Sequence, residues 1–186
     1  MAPQVLHRVC HGSSSPDNRL YAKHQLKTFP AILHDYRRHR VRSADYPAIL
    51  PTQGSSVRGT YVTGLNNGDI RLLDLFEGGE YRRDKVKVRL LQEAGLADNS
   101  DHVEGDHVEA ETYIWQAGEH YLEEGEWDFG AFQREKLSFW AGSGANKVDE
   151  AAAQQQDGTR GRGANGHITT ALDEAQKEDK ATRDAV

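Results

Sequence analysis

The sequence predicts an α+β fold: a small mixed β-barrel or sheet with flanking helices in residues 1–142, followed by a disordered, low-complexity tail in residues 143–186. Three observations carry this prediction. Residues 84–91 and 108–115 alternate apolar and charged side chains with the period of a half-buried strand. Residues 67–76 and 129–140 place apolar side chains along one helical stripe. All 15 aromatic residues lie before Ser143, so the core lies there too.

In residues 84–91, Val86, Val88 and Leu90 share one face while Lys85, Lys87 and Arg89 share the other. In residues 108–115, Val108, Ala110, Thr112 and Ile114 stand opposite Glu109 and Glu111. Antiparallel pairing of the two would set a cationic row against an acidic one, a favourable cross-strand arrangement. The connection between them, residues 92–107, is polar and holds a near-duplicate: Asp101-His102-Val103-Glu104-Gly105 followed by Asp106-His107-Val108-Glu109-Ala110. Five residues twice is too short for a solenoid, so it reads as a loop expansion whose second copy runs into the strand. Residues 57–62 read as another strand and residues 31–41 as a weaker one. The helix over 67–76 has Asn66 or Asn67 as its cap, Ile70, Leu73 and Phe76 on its stripe, and Gly78-Gly79 to stop it. The last core helix starts with Asp128 as N-cap and Trp127 stapled to Phe132. It buries Phe129, Phe132, Phe139 and Trp140.

Residues 144–186 contain no aromatic residue and run through a short glutamine stretch, Gln154-Gln155-Gln156, into a mixed-charge end. Such a segment lacks the apolar surface that offsets ordering entropy, which predicts disorder with at most transient helix over residues 170–183. The net charge of -6 and a pI near 5.8 argue against general nucleic-acid binding. Cys10 is the only cysteine, so no intramolecular disulfide forms. No apolar run reaches the roughly 18 residues of a membrane span, and residues 1–4 begin no apolar signal segment. These features predict a soluble, cytoplasmic protein.

The segment richest in chemistry is Leu73-Asp74-Leu75-Phe76-Glu77-Gly78-Gly79-Glu80-Tyr81-Arg82-Arg83. Glu77 falls at the end of the helix, beside Phe76 and near Tyr81. The negative end of the helix dipole and apolar neighbours both disfavour its anion and raise its pKa, as an acid/base working near neutrality requires. A solvated last-turn residue is the alternative.

This segment resembles the signature of the gamma-glutamylcyclotransferase-like family, which includes the plant avirulence-induced proteins and the gamma-glutamylamine cyclotransferases. The family pattern is a helix ending Leu-Asp-x-Phe-Glu, a short turn, and Tyr-x-Arg entering a strand. Leu73, Asp74, Phe76, Glu77, Tyr81 and Arg83 supply it. Tyr46-Pro47-Ala48, Val57-Arg58-Gly59-Thr60-Tyr61, residues 110–115 and the opening Met1-Ala2-Pro3-Gln4-Val5-Leu6 match other pieces in the same order, over about residues 1–141. The resemblance implies a small barrel with flanking helices and one essential glutamate, carried onto Glu77. It implies a metal-free and cofactor-free ring closure of a small gamma-glutamyl substrate to 5-oxoproline. Tyr81 and Arg83 would bind substrate or support the turn. Family members begin with a strand ending in Tyr-Gly-Thr-Leu or Tyr-Gly-Ser-Leu, whose main-chain N–H groups hold the substrate carboxylate. The present sequence opens where that motif would have ended. The expectation is therefore a domain lacking its first strand, with truncation the favoured explanation. The amine on the gamma-glutamyl group and the oligomeric state stay open.

Other signals are weaker. His7 and His11 would share a helical face, but they lack the glutamate of His-Glu-x-x-His and a further ligand cluster, so no metal site is expected. His102 and His107 sit in an acidic stretch and read as solvated. Cys10 has histidines near it in sequence but no third member to orient them, so it reads as a buried thiol. Gly161, Gly163 and Gly166 spell Gly-x-Gly-x-x-Gly without the strand and helix a dinucleotide site needs. Arg37-Arg38-His39-Arg40-Val41-Arg42 is the basic cluster, read as a solvated strand edge or loop. Three functions follow in order: a gamma-glutamylcyclotransferase using Glu77; a non-catalytic small-ligand or protein-binding module on the same fold; and a nucleic-acid adaptor through residues 37–42.

Overall fold

A computed structural model describes residues 1–13, 26–92, 103–141, 158–162 and 167–184, with the side chains of the last helix described through Glu178. Four strands form one antiparallel sheet: β1 (Lys27–Arg40), β2 (Pro47–Thr63), β3 (Tyr81–Gln92) and β4 (Val103–Trp115), in the order β2-β1-β3-β4. The sheet is not closed, so the α+β class holds while the mixed-barrel alternative gives way to an open antiparallel sheet. Around it lie α1 (Pro3–His11), α2 (Asn67–Glu77), α3 (Phe129–Glu135), α4 (Leu137–Trp140) and α5 (His167–Asp184).

The strands outrun their apolar signals. Strands β1 and β2 form a hairpin in register from Lys27 opposite Thr63 to Arg40 opposite Pro47. It is interrupted where Asp35, at φ 60°, accepts the Gly54 N–H on Oδ1 at 2.9 Å. Strands β3 and β4 pair Lys85 with Glu111 and Lys87 with Glu109, the predicted alignment of opposite charges. The near-duplicate is not a loop expansion over its whole length: β4 begins at Val103, so most of both copies is strand, and the ladder supplies hydrogen bonds that polarity alone does not announce. His107 is in β4 opposite Arg89, whereas His102 lies outside the described residues.

The main core joins helices to sheet. Val5, Leu6 and Val9 of α1, Leu72, Leu73 and Phe76 of α2, Tyr81, Trp115, Phe132 and Trp140 pack into one cluster. A smaller cluster of Ala31, Leu33, Val86 and Val88 fills the far half of the sheet. Asn66 caps α2 through a capping box, its Oδ1 accepting the Asp69 N–H at 3.0 Å and its own N–H donating to Asp69 Oδ2 at 2.9 Å. Asp128 Oδ1 accepts the Ala131 N–H at 3.0 Å and Trp127 lies 5.2 Å from Phe132, centroid to centroid, as the N-cap and staple of α3 require. The single helix expected over residues 129–140 is two, divided at Lys136.

The expectation of disorder over residues 143–186 fails for 158–162 and α5, while 142–157, including the glutamine stretch, and Gly163 and Gly166 lie outside the described residues. Helix α5 lies along α2 and buries Leu172 and Ala175 in the main core. Gln176 donates to Val9 O at 2.7 Å, and Arg8 of α1 donates to Trp140 O at 2.9 Å. A few apolar side chains plus side-chain bonds to main chain suffice here, and composition averaged over the whole tail conceals them.

The basic cluster is bonded within the chain. Arg37 donates to Glu124 O, Arg38 to Arg58 O and Arg42 to His120 O, and Arg40 pairs with Glu123. Cys10 is buried, and burial, with Asp69 adding, pushes its thiol up to about 12. It is thus protonated at neutral pH and unsuited to nucleophilic attack. His7 and His11 share a face of α1, Nδ1 to Nδ1 at 3.2 Å, in the core. Among the described residues no helix is long and apolar enough to cross a membrane.

Candidate active site

The end of α2 and the turn into β3 are the centre of the site. Glu77 is the last residue of α2, Gly78–Glu80 form one turn of 3-10 helix, and Tyr81 opens β3. Gly78 sits at φ 69°, a left-handed conformation that a side chain would strain. A cavity of about 320 Å³ lies against this turn, lined by Glu77, Gly78, Gly79, Glu80, Arg160, Arg162, His167 and Ile168. Half its wall thus comes from the C-terminal segment.

Glu77 is partly buried. Its desolvation raises the carboxyl pKa above the ordinary value, with the Arg162 guanidinium and the Met1 amino group opposing the rise and Glu80 adding to it. Desolvation is thus the dominant cause, as read from the apolar neighbours in sequence. Sequence reasoning did not foresee Arg162.

Glu80 anchors the polar side of the cavity. Its Oε2 accepts the Tyr46 hydroxyl at 2.7 Å, its Oε1 accepts Arg160 Nη1 at 2.7 Å, and Arg162 Nη1 lies 3.4 Å from Oε2. Burial pushes this carboxyl up, but the bonds from Tyr46 and Arg160 and the Arg162 charge pull it further down, leaving it below the ordinary value. The phenol of Tyr46 is pushed up to about 12 by burial and by its bond to Glu80, so it remains a donor. Two carboxylates three residues apart are therefore held in opposite ways, one by desolvation and one by donors.

Arg162 is 2% exposed. Its Nε donates to Phe76 O at 2.8 Å and its Nη2 to Glu77 O, and its guanidinium lies 4.5 Å from the centre of the Tyr46 ring. Those carbonyls belong to the last turn of α2, where a cation meets the negative end of the helix dipole.

Tyr81 and Arg83 sit beside this centre, outside the residues that line the cavity. The Tyr81 hydroxyl donates to Pro47 O at 2.8 Å and its ring packs edge-on against Trp115 with centroids 5.2 Å apart. Burial, then Glu77, raises its pKa well above the ordinary value. Arg83 Nε donates to Asp74 Oδ1 at 2.9 Å and Nη1 to Glu111, while Tyr113 donates to Asp74 at 2.7 Å. Arg83 ties the outer face of α2 to β4, and Tyr81 ties the turn to the start of β2. Tyr46 was visible in the sequence only as part of a matching segment. Glu80 lay inside the singled-out motif without a role. Arg160 and Arg162 carried no signal beyond two arginines among glycines.

Residues 9–129, more than half of the chain, match the family described as "Gamma-glutamyl cyclotransferase, AIG2-like". Among curated relatives, all from Arabidopsis thaliana, Protein AIG2 C is 33% identical over 102 residues, 55% of this chain and 55% of that protein. AIG2-like protein D is 31% identical over 128 residues, 67% and 78% of the two chains, and AIG2-like protein B is 33% identical over 137 residues, 72% of each. The chain thus spans about half the length of AIG2 C. A solution structure from Arabidopsis thaliana shares 26% identity over 82% of this chain and 84% of that one, with a TM-score of 0.46. The family match covers the helix–turn–strand that carries Glu77, and with it the chain belongs to the gamma-glutamyl cyclotransferase, AIG2-like family.

Proposed function

We propose that the protein is a gamma-glutamylcyclotransferase in which Glu77 is the acid/base. The observation that carries this reading is Glu77 itself: a desolvated carboxyl at the end of α2, on the wall of a cavity large enough for a small molecule. In the reaction, the α-amine nitrogen of a gamma-glutamyl compound bonds to its own gamma-carbonyl carbon and gives a proton to ionised Glu77. The bond from that carbon to the departing nitrogen then breaks. Glu77 returns the proton to the departing nitrogen, and 5-oxoproline and the free amine are released. No net proton and no electron is exchanged with the medium. Because nucleophile and electrophile belong to one molecule, positioning supplies much of the rate. Tyr81 and Arg83 support the turn from either side rather than contacting substrate.

A second reading has a specific observation behind it: Arg160 and Arg162 already engage Glu80 inside the cavity, which suits a module that holds a small acidic ligand without converting it. Glu77→Gln in the full chain separates the two. Release of 5-oxoproline by the native chain from gamma-glutamyl dipeptides, lost in E77Q with the circular dichroism unchanged, supports the enzyme. Turnover by E77Q equal to native overturns the role of Glu77. Binding of the dipeptide with no turnover by the native chain favours the binding module.

A further inference from the structure

We propose that the C-terminal segment completes the site by delivering Arg162 as a positioning residue, whose guanidinium fixes the last turn of α2 and through it the Glu77 carboxyl. This deepens the reading of Glu77 as the acid/base and rests on it.

The geometry is specific to a guanidinium. One buried side chain reaches three acceptors at once: Phe76 O at 2.8 Å, Glu77 O, and Glu80 Oε2 at 3.4 Å. The planar fork spans acceptors that point in different directions, where an ammonium on a flexible stem would serve them one at a time. The two main-chain oxygens are last-turn acceptors with no partner inside α2, so Arg162 braces the helix end that Gly78 terminates. Faces of Tyr46 and Phe76, with ring centres 4.5 and 5.9 Å away, hold the guanidinium in plane.

Arg162 is itself held from behind. Thr169 Oγ1 donates to Arg162 O at 3.0 Å, and Arg8 Nη2 lies 3.4 Å from the same hydroxyl. Leu172 of α5 and the bonds from Gln176 to α1 secure the segment independently. The tail thus has anchors besides Arg162, and the Arg162 contacts fall on the turn that ends α2. Arg160 differs: it reaches Glu80 and Arg42 O but neither of the α2 carbonyls.

The test uses the full chain with Arg162→Met and Arg162→Lys, each checked for folding by its melting curve. Turnover of gamma-glutamyl-alanine is read as kcat, KM and pH profile. The Glu77 carboxyl is titrated by carbon NMR, its signal assigned by its loss in E77Q. R162M is expected to lower kcat about 100-fold, the cost of a misplaced catalytic group. It should also shift both the acidic limb of the profile and the Glu77 midpoint to higher pH, because the opposing cation is gone. R162K keeps the charge and should restore the midpoint toward native while kcat stays low. Folded R162M with native kcat, limb and midpoint overturns the proposal. Should R162M fail to fold, R162K with native kcat and an unchanged Glu77 signal does the same. If E77Q turns over like the native chain, the acid/base reading falls, and the Glu77 midpoint in R162M still decides whether Arg162 governs that carboxyl.

Discussion

Two segments meet at the cavity, and they are held in place by different forces. The turn from α2 into β3 stands on burial: Leu72, Leu73, Phe76 and Tyr81 are all under one-tenth exposed, and the turn is an outgrowth of the core beneath it. The segment at 158–162 with α5 stands mainly on directed bonds, from Arg160, Arg162 and Gln176 to oxygens of the body and from Arg8 to the Thr169 hydroxyl, with Leu172 and Ala175 as its apolar footing. Burial is non-directional and resists opening as a unit. A set of polar bonds with a small apolar footing opens locally at lower cost. The wall that carries Glu77 should therefore be rigid on timescales where the opposite wall breathes.

The sharpest way to break this comparison is to hollow out each wall in turn. Leu72→Ala, at a position of α2 that is 2% exposed in the main core, should cost about 2–5 kcal/mol and lower the melting temperature of the whole chain. Leu172→Ala removes a side chain that is equally buried. Its loss should fall mainly on α5: amides of α5 should exchange markedly faster by hydrogen exchange while those of α2 stay protected, with a smaller drop in melting temperature than L72A. Equal global losses from the two variants would show a single cooperative unit and remove the contrast.

How much of this could be read beforehand follows the same division. Strands β3 and β4, the cap at Asn66, the staple of Trp127 on Phe132 and the desolvation of Glu77 all derive from neighbours close in sequence or from apolar periodicity, and each was legible. Arg162 was not, because its partners Phe76, Glu77 and Glu80 lie more than 80 residues away and its contacts are hydrogen bonds that leave no pattern. The length of β4 was hidden for a related reason, since Val103 to His107 is polar and gains its order from pairing with β3. The turn at Glu77 lies where both kinds of information meet. Its position was visible, while its second wall was not.

A milder perturbation sharpens the comparison from the far end of α2. Asn66→Ala removes one side of the capping box and should cost about 1 kcal/mol. If α2 behaves as a rigid strut, the loss appears as a lower melting temperature with the Glu77 carboxyl midpoint unmoved. A midpoint that shifts in N66A would mean that the strut transmits fraying along its length, and that burial alone does not secure the turn.

The smallest effect has the opposite sign. Glu77 has a carboxyl pKa raised in the folded chain, chiefly by desolvation. At pH below about 4.3, the ordinary glutamate value, the carboxyl is protonated in both states and folding is indifferent to it. As pH rises, the unfolded chain ionises freely while the folded chain must ionise a poorly solvated group, so the folded state loses stability through the folded-state pKa. Glu77→Gln has no such loss. E77Q should therefore melt higher than the native chain near pH 7, by less than any of the losses above, and the gap should close as pH falls through the ordinary carboxyl range. Together with abolished turnover, that result would mark Glu77 as a group retained against stability for the sake of chemistry. An E77Q that melts lower at neutral pH would mean that attraction to Arg162 outweighs desolvation, and that the carboxyl is a structural member of the same ion cluster as Glu80.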